Sequence, residues 1–310
     1  MKQRLVLLSI TALLASSASL DNSSFIGRWD LTIETPNETY PSWMEISGTT
    51  DKPQVRVVGR VASVHPAKDV KLEAGHLSFT TTESLGRQIP VSWDFAISGE
   101  KLSGTQKRAD GVNGQITAER APALKREAPA SWGAPEALFD GKDLNGWEPD
   151  NSSKNHWKVT NREMVNEAAG ANIRTRRTFQ DFKLHIEYNC PDDGNSGVYL
   201  RGRYEVQVEY EPADKNDPLH AMGSIYGFIA PTAAVSKGPG EWESYDITLV
   251  GRTVTVVRDG TTIIDNQEIP GITGGALDSH EAEPGPIYIQ GDHTGGMKYR
   301  NIRISLPANQ

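Results

Sequence analysis

Between Gly194 and Glu209 the chain reads Gly194-Asn195-Ser196-Gly197-Val198-Tyr199-Leu200-Arg201-Gly202-Arg203-Tyr204-Glu205-Val206-Gln207-Val208-Glu209, a stretch crowded with groups that do chemistry. In extended chain successive side chains point to opposite sides. Val198, Leu200, Val206 and Val208 then enter a core, while Tyr199, Arg201, Glu205, Gln207 and Glu209 share one polar surface. Such a set can orient a sugar, hold a metal ion or move a proton. The same alternation places His185, Glu187 and Asn189 on one side of Lys183 to Asn189, and Gln290, Asp292 and His293 follow Ile287-Tyr288-Ile289. If these strands are sheet neighbours, His185, Glu187, Arg201, Glu205, Gln207 and His293 converge on a concave surface. The competing reading is a solvated sheet face, which antiparallel sandwiches commonly carry.

Carboxylates, imidazoles and amides outnumber the Thr, Ser and Lys of an ordinary solvated face. Tyr199, Tyr226 and Trp242 add aromatic planes on which sugar C–H faces stack. Glu205 and Glu209 taken as a glycosidase pair have Cα atoms about 13 Å apart along a strand, against the roughly 5 to 5.5 Å between carboxyl groups that a retaining pair needs. His185, Glu187, Glu205 and His293 are competent ligands for a divalent metal, with Gln207 beside them, though no compact His-x-His or Cys-x-x-Cys spacing occurs. His220 and His280 fall in loops and read as surface histidines.

The elements that must position these groups form two domains. From Phe25 to Ala121 short alternating runs are separated by turn residues, with no sustained helical period, as in a small antiparallel barrel or sandwich. Gly27-Arg28-Trp29 is similar to the Gly-x-Trp opening of lipocalin-like barrels, which leaves a ligand-binding domain and a structural or docking domain both open. A proline- and alanine-rich stretch, 122–135, reads as a semi-rigid linker. Residues 136–307 are again strand-rich, with a strong hairpin signal at Asp259-Gly260, and predict two packed antiparallel sheets. The fold class expected is all-β: an N-terminal domain over 24–121, then a jelly-roll sandwich.

Lys2 and Arg4, the apolar run Leu5 to Leu14 and the small residues to Ala18 have the order of a secretory signal peptide over 1–18. The run is shorter than the roughly 20 apolar residues of a membrane span. Its removal takes the formal net charge from -8 to -10, which argues against nucleic acid or an anionic membrane as partner. Cys190 is the single cysteine, so no internal disulfide forms. A periplasmic or secreted protein without a membrane span after signal removal is expected.

Leu138-Phe139-Asp140-Gly141-Lys142-Asp143-Leu144-Asn145-Gly146-Trp147, then Trp157-Lys158-Val159, Phe182 to Tyr188, Gly194 to Arg201, Tyr204-Glu205-Val206-Gln207, Tyr226-Gly227, Gly240-Glu241-Trp242 and Tyr299 to Ile304 follow one another in a specific order. Over about 137–306 this order resembles the 3-keto-disaccharide hydrolase domain family. The resemblance implies a concanavalin A-like lectin/glucanase sandwich and action on glycosides oxidised at carbon 3, by elimination and hydration or by hydrolysis. It also implies an oxidised glycoside as substrate and a sugar 3-dehydrogenase upstream. Within that reading Glu205 is the base, His293 the acid, and Arg201 with Asn195 or a divalent metal the enolate stabiliser. Gln207 orients the substrate, and Tyr199, Glu187, Tyr226, Trp242, Asp292 and Gln290 complete the binding set. Where the family has a His-Gly pair before the final strand, this chain has Gln290-Gly291-Asp292-His293. The alternative function is a non-catalytic, lectin-like carbohydrate-binding module.

Overall fold

The computed structural model describes residues 22–60, 63–84, 87–210 and 217–308; the proposed signal peptide lies outside them. Nine strands come first: β1 (Gly27–Glu34), β2 (Thr39–Thr49), β3 (Lys52–Val58), β4 (Val64–Pro66), β5 (Lys68–Glu73), β6 (His76–Ser84), β7 (Gln88–Ser98), β8 (Lys101–Arg108) and β9 (Asn113–Arg120). They pair antiparallel in the order β4-β3-β2-β1-β9-β8-β7-β6-β5. The sheet curls until the Ala67 N–H donates to Val55 O at 2.8 Å, so the two edges meet in a nearly closed barrel. Alternation fills the interior: Trp29, Leu31 and Ile33 from β1, with Met44, Phe79, Trp93 and Phe95, form one buried cluster. The Arg120 guanidinium covers the Trp29 ring at 3.9 Å.

The remaining strands are β10 (Glu136–Phe139), β11 (Trp147–Pro149), β12 (Trp157–Thr160), β13 (Glu163–Asn166), β14 (Ile173–Thr175), β15 (Phe182–Asn189), β16 (Asn195–Leu200), β17 (Tyr204–Glu209), β18 (Trp242–Val250), β19 (Thr253–Arg258), β20 (Thr261–Glu268), β21 (Tyr288–Ile289) and β22 (Met297–Ser305). Seven of them form a sheet ordered β12-β13-β22-β15-β18-β19-β20, with β10 on β22, and five form a second ordered β11-β14-β21-β16-β17. One core joins the two sheets. Val198, Leu200, Val206 and Val208 reach it from the five-stranded side, and Leu184, Ile186, Tyr188 and Ile247 from the other. The molecule is therefore all-β, a barrel-like sheet followed by a jelly-roll sandwich.

Residues 121–135 lie on the sandwich rather than spanning open solvent. Trp132 bridges Pro307, Gly133 N–H donates to Leu306 O at 2.8 Å, and Arg126 pairs with Asp181 at 3.2 Å. The outward face of β1 to β3 also meets the sandwich: Arg28 pairs with Glu268 at 2.6 Å, and Trp43 and Val58 join the sandwich core.

Candidate functional site

Because Val198, Val206 and Val208 point into the core, the intervening residues of β16 and β17 point away from it. On that outward face Tyr199 stands opposite Glu205, and Gly197 opposite Gln207. β21 pairs with β16 on the other side, setting Tyr288 beside Tyr199 with rings 5.1 Å apart and edge to face. Gln290 continues the edge, its N–H donating to Gly197 O at 3.0 Å. An outward face would ordinarily be wet, yet Tyr199, Glu205 and Gln207 are 1%, 4% and 2% exposed. The loops at 226, 273–275 and 292–293 cover it, leaving a cavity of about 80 Å³ lined by Asn195, Tyr199, Glu205, Gln207, Tyr226, Gly274, Gly275, Tyr288, Gln290, Asp292 and His293. At about 30 Å³ per water this is room for a few waters, a small polar recess open at its rim.

Glu205 is at its centre. Its carboxylate folds back across β16, over Gly197, where a Cβ would overlap it. Oε2 lies 2.9 Å from the Tyr199 hydroxyl, which also reaches Gly274 O at 2.8 Å and receives Gln290 Nε2 at 3.3 Å. One hydroxyl proton serves one acceptor at a time, so the Tyr199 hydroxyl is shared between the Glu205 carboxylate and Gly274 O. Burial pushes the Glu205 carboxyl up to about 8, with Glu209 and Asp292 adding to the rise, against the Tyr199 hydrogen bond and the nearby His293. The Tyr199 phenol is held well above its ordinary value by burial and by Glu205.

At the rim His293 Nδ1 lies 2.6 Å from Asp292 Oδ1, which leaves Nε2 for the cleft. The Asp292 hydrogen bond raises the imidazole above its usual value despite partial burial. Burial opposes ionisation of Asp292, but the His293 hydrogen bond and charge outweigh it and hold the carboxyl low. Thr294 fixes this loop to β16, its hydroxyl accepting from Asn195 N–H at 2.8 Å and donating to Asn195 O at 3.1 Å. The arrangement thus offers a buried carboxyl ready to exchange a proton near neutrality, and an imidazole near it whose protonated form is favoured by Asp292.

Eight of the expected residues therefore come together: Asn195, Tyr199, Glu205, Gln207, Tyr226, Gln290, Asp292 and His293. Arg201 does not join them. β16 ends at Leu200 and Arg201 turns through φ 54°, so strand alternation no longer applies; its guanidinium donates to Tyr204 Oη at 2.9 Å and Gly251 O at 3.0 Å, buried on the far side. Glu187, His185 and Trp242 belong to β15 and β18, in the other sheet, and face the opposite surface of the sandwich. There Glu187 binds Arg300 at 2.6 Å, His185 sits 2.7 Å from Asp246, and Arg300 lies 3.9 Å over the Trp242 ring. The proposed ligands His185, Glu187, Glu205 and His293 are thus split between two faces, and among the described residues no three His, Cys, Asp or Glu side chains converge as a metal site. Sequence reasoning passed over Tyr288, Gly274 and Gly275. Tyr288 carried a signal, standing two residues from Gln290 and so on the same face; the two glycines carried none, since loop closure alone brings them there.

Residues 134–305 match the model of a 3-keto-alpha-glucoside-1,2-lyase-like domain. No curated protein sequence matches the chain. Among solved structures, a "putative glycosyl hydrolase" from Parabacteroides distasonis is 29% identical, covering 59% of this chain and 94% of its own at a TM-score of 0.47. A second so described from the same organism is 23% identical, covering 56% and 98% at 0.44. A non-specific endo-beta-1,3(4)-glucanase from family GH16 is 11% identical, covering 60% and 96% at 0.36.

Proposed function

The chain belongs to the 3-keto-alpha-glucoside-1,2-lyase-like domain family, a carbohydrate-active one, and on that premise we propose that it cleaves glycosides already oxidised at carbon 3. The ketone acidifies the C2–H bond. Glu205 takes that proton, the electron pair passes into an enolate on the C3 oxygen, and its return forms the C1–C2 double bond as the C1–O bond to the aglycone breaks. His293, aligned by Asp292, acts in its protonated form and gives that proton to the departing oxygen. Water adding across the new double bond completes net hydrolysis; without that addition the reaction ends as a lyase step. With Arg201 directed elsewhere, the enolate oxygen falls to the donors that line the cleft, the Asn195 and Gln290 amides and the Tyr288 hydroxyl.

The observation that carries this reading is a carboxyl 4% exposed on the face away from the core, pushed up to about 8 and set beside an imidazole. A surface face has no use for that, and a base of this strength suits proton abstraction near neutral pH better than an ordinary carboxylate. The oxidised substrate calls for a sugar 3-dehydrogenase acting beforehand, and the N-terminal segment 1–18 for action in the periplasm or outside the cell.

The test compares a chromogenic glucoside with its 3-keto form, with and without chelator, following aglycone release. Release from the 3-keto form alone is expected. Tight binding of the unoxidised glycan with release from neither form would replace this reading with a lectin-like module.

A further inference from the structure

Glu205 is held by its backbone as well as its side chain. Its N–H donates to Thr273 Oγ1 at 3.1 Å, and its carbonyl accepts from Tyr226 N–H at 3.1 Å. Both partners sit in loops, 271–275 and 225–229, and Gly274 O in the first of these also receives the Tyr199 hydroxyl. The register of the base therefore depends on what holds the two loops.

The barrel-like sheet, which lies outside the family match, holds both. On β2 Tyr40, Met44 and Ile46 point into the barrel, so Trp43 points out of it, and it is fully buried in the sandwich core. Its indole fills the space where Gly271 would carry a Cβ, and its ring meets Phe228 edge to face at 5.3 Å. Among the described residues the indole N–H has no hydrogen-bond partner, so the contact there is one of shape. Ser63 occupies the corresponding space at Gly227, next to Tyr226. Arg60 O accepts from Gly275 N–H at 3.4 Å. Each loop that grips Glu205 is thus wedged by a side chain from the added domain.

We propose that Trp43 and Ser63 are positioning residues for Glu205, and that the N-terminal barrel is an integral part of this protein's catalytic cleft. The inference rests on reading Glu205 as the base. Its test needs no substrate, so a failed turnover assay would not count against it. The full chain, carrying ¹³C-labelled glutamate carboxyls, is titrated by NMR, with the Glu205 signal identified by its loss in Glu205→Gln. The charged and titratable groups facing Glu205 are Tyr199, Glu209, Tyr226, Tyr288, Asp292 and His293, and none is substituted by a change at Trp43. In Trp43→Ala and in Gly271→Ala, which reaches the same contact from the other side, the midpoint should fall by about one pH unit or more as the loops relax and water enters. Trp43→Phe should restore most of the shift. Trp93→Phe, inside the barrel, should leave it unchanged. Should Trp43→Ala fail to fold, Trp43→Leu decides by the same results. A folded Trp43 variant with the wild-type midpoint, or an equal fall in Trp93→Phe, overturns the proposal.

Discussion

The buried carboxyl of Glu205 bears on stability and, as the proposed base, on rate. Its folded value, about 8, lies above the 4.5 of an exposed glutamate, so between those limits the folded chain binds more protons than the unfolded one and stability falls as pH rises. Glu205→Gln should remove that slope, leaving a variant more stable than wild type at pH 8 by up to about 5 kcal/mol; denaturant titrations at pH 5 and 8 measure it. Activity should run the other way. The base acts ionised, so kcat/KM should climb with pH toward 8, and Glu205→Gln should lose roughly 10²- to 10⁴-fold. Asp292→Asn should let the His293 imidazole relax downward as its hydrogen bond is lost, which an NMR titration of the ring measures. Most of this set was legible in the sequence, because strand alternation is local: Tyr199, Glu205 and Gln207 needed only period two. Arg201 was misread because one left-handed residue after Leu200 ends that period.

Among the elements, β16 and β17 do most of the positioning, and Gly197 is the point where they make room. The three atoms nearest a Cβ there all belong to the Glu205 side chain, Oε1, Cδ and Cγ, so Gly197→Ala should displace the carboxyl and lower kcat about 10²-fold, the scale of an ångström of misplacement, with a smaller effect on thermal stability. A parallel loss of folding would show that Gly197 serves the strand rather than the acid. Alternation alone could not assign strands to sheets, which is why His185, Glu187 and Trp242 were expected beside Glu205. They share its polar pattern, but β15 and β18 lie across the core, and nothing local to those residues distinguishes one outward face from the other.

For the whole molecule, the two β units share a core through Trp43 and Val58 and an ion pair through Arg28 and Glu268. Calorimetry should therefore show one cooperative transition, and Trp43→Ala should split it in two; two transitions in the wild type would mean weak coupling. The sequence indicated two strand-rich units but carried no sign that the outward side of β1 to β3 would seal against the sandwich, since that contact depends on residues more than a hundred positions apart. What the assembled molecule is claimed to do is take a proton from carbon 2 of a 3-keto-glycoside through Glu205. NMR of such a substrate with the protein in D₂O tests this most directly. Wild type should release aglycone with loss of the original proton at carbon 2, deuterium taking its place where water adds, and folded Glu205→Gln should do neither at a comparable rate. Equal release by the Glu205→Gln variant, or release with carbon 2 still fully protonated, would contradict it.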